Sequence, residues 1–67
     1  MEELKKGLKE LLKKFEDENR IDDYNRLKKI LEDEHIEIID VLYKEDEIQV
    51  FCNDNFEEVP FVEIFKL

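Results

Sequence analysis

His35 and Cys52 are the chain's one imidazole and one thiol. Together they would make a thiolate–imidazole nucleophile. A hydroxyl nucleophile is nearly excluded, because Ser and Thr are absent and only Tyr24 and Tyr43 remain. Cys52 lies in an alternating apolar run, IQVFC, and is expected on the core face of a strand, where a thiol packs as a small apolar residue. His35 lies in EDEHIE, with no second His or Cys nearby in sequence. A lone imidazole among carboxylates can ligate a metal or respond to pH. Here Glu34 and Glu37 project differently around a helix–strand junction, so a solvated His is expected.

The oxygen-rich run Asn53-Asp54-Asn55-Phe56-Glu57-Glu58 lacks the central Gly and the spacing of an EF-hand loop and is expected to be a solvated turn. One Gly, Gly7, cannot build a phosphate loop. The reading is a non-enzyme with no catalytic residue, no metal and no cofactor.

Charge is the other chemical signal. The chain carries 11 basic and 20 acidic residues, a formal net charge of −9. Residues 1–14 hold five Lys against three Glu, whereas residues 36–67 hold two Lys against nine acidic residues. Phosphate binding needs clustered Lys and Arg. Lys5, Lys6, Lys9, Lys13 and Lys14 are the only such group, and the field of the whole molecule opposes DNA, so no direct nucleic-acid contact is expected.

The acidic surface is instead the candidate binding site: Glu37, Asp40, Glu45, Asp46, Glu47, Asp54, Glu57 and Glu58. Carboxylates spaced along a rigid sheet can occupy a basic groove as phosphates do. The expected partner is a basic, nucleic-acid-binding protein, inhibited or modulated by nucleic-acid mimicry. The weight of Lys, Glu, Asp, Asn, Ile and Phe, all with AT-rich codons, fits a phage or other mobile element. The alternative is an assembly subunit that docks or homodimerises through an edge strand or an apolar sheet face, with Ile36, Ile38, Leu42 and Phe51 as the candidate interface.

The elements that position these residues follow from periodicity. Leu4, Leu8, Leu11, Leu12 and Phe15 form one helical stripe, and Glu2→Lys6 and Glu10→Lys14 add i,i+4 pairs. A second stripe is Ile21, Tyr24, Leu27, Ile30 and Leu31, with Asn19 expected as its N-cap and Asp22 returning a carboxylate. The short connection makes the helices an antiparallel pair. Next, IEIIDVLY and EIQVFC flank the break Lys44–Glu47 and read as a β-hairpin. A four-residue loop pairs Tyr43 with Ile48, Val41 with Val50 and Ile39 with Cys52. That register gathers these six on one apolar face and leaves Ile36, Ile38, Asp40, Leu42, Gln49 and Phe51 on the other. The final VPFVEIFKL reads as a third strand.

The expectation is one α+β domain over residues 1–67, order ααβββ: a helical hairpin (1–35) packed on a small antiparallel sheet (36–67). At 67 residues such a domain buries only about 60% of its extended-chain surface. A single Cys excludes an intrachain disulfide, and a reducing, cytoplasmic setting is the expectation. No apolar run approaches membrane-spanning length, and the charged start does not read as a signal peptide.

Overall fold

In a computed structural model of the chain, the described residues run from Glu2 to Leu67, with side chains from Leu4 onward. The expected pairing of Glu2 with Lys6 lies outside the described side chains. The chain forms two α-helices followed by a three-stranded antiparallel sheet, in the order ααβββ. It divides into two compact units, one ending at Asp33 and one beginning at Glu34.

The first unit is a helical hairpin. Helix α1 spans Glu2–Asp17 and α2 spans Ile21–Glu32. The two stripes meet as their period requires: Leu8, Leu11, Phe15, Leu27 and Ile30 are all buried. Ile21 does not join them and is 61% exposed. It is the first residue of α2. A side chain there leans toward the helix N-terminus and so points off the end of the pair.

Asn19 caps the other helix from the one expected. Its φ of 58° is left-handed, and it ends α1. The Arg20 N–H donates to the Phe15 carbonyl at 2.8 Å and the Asn19 N–H to the Glu16 carbonyl at 3.1 Å. This is the paired-bond helix stop that needs a left-handed residue, which Asn tolerates better than most. Arg20 becomes the N-cap of α2 without a side-chain capping bond to the helix backbone. Its guanidinium instead lies 4.5 Å from the Phe15 ring centroid and pairs with Asp23 at 2.6 Å, so one side chain braces the reversal from both helices. Helix α2 ends at Glu32 with Asp33 as C-cap, inside the acidic run Glu32-Asp33-Glu34, whose charge opposes the negative end of the helix dipole.

The second unit is the sheet, strand order β1-β2-β3, from β1 (Ile36–Tyr43), β2 (Glu47–Asp54) and β3 (Val59–Lys66). The expected pairs Tyr43↔Ile48 and Val41↔Val50 are present. The third is not. A bulge between Ile38 and Asp40 sets Ile38, not Ile39, opposite Cys52. One extra residue reverses the side-chain phase for everything upstream of it. Ile38 is thereby buried and Ile39 is 51% exposed, the reverse of the straight-strand expectation. Tyr43, also expected in the core, closes the strand at 58% exposure.

Strand β3 pairs along its whole length, from Glu47↔Lys66 to Asp54↔Val59. Together the pairings sort the sheet into two faces. Ile38, Ile48, Val50, Cys52 and Phe65 are buried on one. Leu42, Gln49, Phe51, Val62 and Ile64 occupy the other.

Candidate functional site

His35 and Cys52, the residues that raised the question of catalysis, are held apart. Cys52 is 1% exposed, and its Sγ lies 3.8 Å from the Val50 carbonyl oxygen. Burial pushes the thiol up to about 11, with the negative charge of Glu63 adding to the shift. A thiol so placed stays protonated at neutral pH and is a poor nucleophile. Cys52 sits opposite Ile38, three residues beyond His35, which is roughly 10 Å of strand. His35 has its own structural task. Its carbonyl accepts the Asn55 N–H at 2.7 Å, and its ring lies 5.4 Å from that of Phe56. The junction is thus tied to the β2–β3 loop.

That loop uses part of its oxygen to form its own turn. Asp54 Oδ1 accepts the backbone N–H groups of Phe56 at 2.9 Å and Glu57 at 3.3 Å. Asn53 Nδ2 donates to Asn55 Oδ1 at 2.7 Å. These are turn-forming bonds, and they lead the chain to Glu58, which reverses it at a φ of 57°.

The eight carboxylates of the expected acidic site separate into groups. Glu45 and Asp46 form the β1–β2 turn, while Asp54, Glu57 and Glu58 surround the β2–β3 turn at the opposite end. Eight-residue strands put about 25 Å between these ends. Glu37, Asp40 and Glu47 fall in phase with Phe51, on the face opposite Cys52. Six of the eight are exposed, and Glu47 and Asp54 are half-buried.

Glu47 is already engaged. It accepts Lys66 Nζ at 2.7 Å and Gln49 Nε2 at 2.6 Å. The bond from Lys66, then that from Gln49, hold its carboxyl below the usual carboxylate range, and the same contact with Glu47 raises Lys66. Asp40 is held differently. Its Oδ1 accepts the N–H of the next residue, Val41, at 2.8 Å, beside the bulge. That bond aims the carboxylate from within its own strand.

The apolar interface residues also divide. Leu42 and Phe51 do lie on the open face, 44% and 37% exposed. Ile38 does not: the bulge buries it on the other side, and half-buried Ile36 shares its phase. Their places are taken by Ile39, Val62 and Ile64, which were not expected at an interface. A groove crosses all three strands there, lined by Ile39, Asp40, Phe51, Cys52, Pro60, Phe61 and Val62. The sequence carries both phases here: Ile36 and Ile38 alternate in one and Ile39, Val41 and Tyr43 in the other, so composition does not choose between a straight strand and one that slips at Ile38-Ile39.

Among the described residues, no helix is long and apolar enough to cross a membrane. The chain matches no protein-family model, no curated protein and no solved structure.

Proposed function

We propose that this chain is a non-enzymatic protein-binding module that engages, and inhibits or modulates, a basic nucleic-acid-binding protein. The observation that carries the reading is the charge of residues 36–67, two Lys against nine acidic residues, eight of them on the turns and open face of a sheet. Fixed carboxylates steer a cationic partner toward the site and act mainly on the association rate. Their separation into two ends about 25 Å apart exceeds the Debye length of about 8 Å at physiological salt, so each end attracts as its own patch.

Association rates with a panel of basic nucleic-acid-binding proteins test this at low and high salt. Reversing Glu45 and Asp46 together to Lys should slow association and flatten its salt dependence. Glu47 is left intact, because its removal would also break the cross-strand contact with Lys66. Unchanged kinetics with every basic protein would refute the reading.

A second reading, an assembly subunit, draws on the open apolar face of Ile39, Leu42, Phe51, Val62 and Ile64. Two identical sheets, each dominated by carboxylate, oppose a symmetric pairing through that face. Addition of a strand along β1 is hindered by the bulge, which interrupts the edge as a template. Light scattering that shows dimers growing with salt would favour this reading over the first.

A further inference from the structure

We infer that the groove beside the β1 bulge is a receptor for one lysine or arginine side chain of the partner. The inference rests on the reading of a basic partner and gives it a contact point. The floor is apolar and open: Ile39, Phe51 and Val62 are 51%, 37% and 43% exposed, with Pro60 alongside. A carboxylate, Asp40, lines the same groove, directly across the strands from Phe51. The ligand that matches an apolar floor with one carboxylate is a long aliphatic stem ending in a cation.

Lys and Arg have that form. The stem covers the floor, the head reaches Asp40, and a guanidinium can also lie on the Phe51 ring. An apolar occupant would strip water from Asp40 without replacing its hydrogen bonds, and an acidic one would be repelled. Neighbouring charges favour Asp40 as the contact. Glu47, on the same face, is engaged by Lys66 and Gln49, whereas Asp40 uses one oxygen on the Val41 N–H and has a second oxygen to offer. The bulge is what assembles this pair, because a straight strand would place Ile39 on the opposite face from Asp40.

Hexalysine and hexaarginine serve as probes, with affinity and the NMR signals of the Ile39 and Val62 methyl groups as readouts. Asp40→Asn retains an oxygen for the Val41 N–H and so keeps the bulge. It should lower affinity about fivefold, the upper end for an exposed ion pair. Glu45→Gln, an equal change of charge at the β1–β2 turn, about 20 Å of strand from Phe51, should lower it less than about twofold. Phe51→Leu should weaken hexaarginine about threefold while preserving the apolar floor.

Equal losses for Asp40→Asn and Glu45→Gln, with shifts spread over the sheet, would overturn the receptor and leave the basic-partner reading standing. No salt-sensitive binding by either peptide, or by any basic protein, would overturn both. Shifts at Ile39 and Val62 that follow protein concentration with no peptide present would mean that a second copy fills the groove, and would also overturn the inference.

Discussion

The two faces of the sheet draw on the same residue types and reach opposite ends of the exposure scale. On one, Val50 and Phe65 are wholly buried and Cys52 is 1% exposed. On the other, Phe51, Val62 and Ile39 are 37%, 43% and 51% exposed. Neighbours along one strand, such as Phe51 and Cys52 or Ile38 and Ile39, fall on different sides of this division. Hydrophobicity therefore does not say which face is core. Strand phase does, and in β1 that phase is set by a single extra residue.

The largest test of this contrast compares the two phenylalanines. Phe65→Ala should destabilise by about 3–5 kcal/mol, the usual range for a buried aromatic, which is most of the stability of a domain this small. Phe51→Ala, on the open face, should cost less, about 1–2 kcal/mol, because its side chain is only partly covered. Urea unfolding measures both. Ile38→Ala and Ile39→Ala repeat the comparison within the bulge, with about 2–4 kcal/mol expected for Ile38 only. Comparable losses at Ile38 and Ile39 would mean that the bulge does not set the phase.

Thiol chemistry gives a second contrast. Raising a thiol from its ordinary value of 9.0 to about 11 lowers its thiolate fraction about a hundredfold near neutral pH. Cys52 should therefore alkylate at least a hundredfold more slowly than a cysteine introduced by Phe51→Cys in a Cys52→Ala background. Similar rates would mean that the Cys52 face opens readily.

The smallest effect lies in the Glu47–Lys66 contact on the open side. A carboxyl whose pKa is lowered by folding adds stability above its ordinary value of 4.5, and that contribution fades as pH falls through the folded value. A raised lysine adds stability below 10.5 and loses it as pH rises through its folded value. The contact should thus support the sheet between these limits and weaken at both extremes. Lys66→Met should flatten both limbs of a melting-temperature profile, more so at low salt, because Lys66 is 72% exposed. A profile identical to that of the unaltered protein would mean that the contact carries no stability.

Much of this was legible before the fold was known. The helical stripes brought Leu8, Leu11, Phe15, Leu27 and Ile30 together, because a period of 3.6 leaves them one common face. The third strand followed from Val, Ile and Phe in alternation after Pro60. The hairpin pairs nearest the turn followed from its length. Where the structure departs from expectation, the causes are local. Asn19 satisfies the composition of an N-cap and of a helix stop equally, and only the path of the backbone chooses between them. Ile36, Ile38 and Ile39 offer apolar residues in both strand phases, so either register hides a comparable set.

By itself, then, the sequence determined the order ααβββ, the acidic character of residues 36–67 and the strand position of Cys52. Those depend on periodicity and composition, which are local and additive. Tertiary structure alone decided that Ile39 rather than Ile38 stands on the open face, that Val62 joins it across the sheet, and that Asp40 lines the groove between them. Such juxtapositions arise only when three strands settle their registers against one another, and one unpaired residue redirects every side chain beyond it.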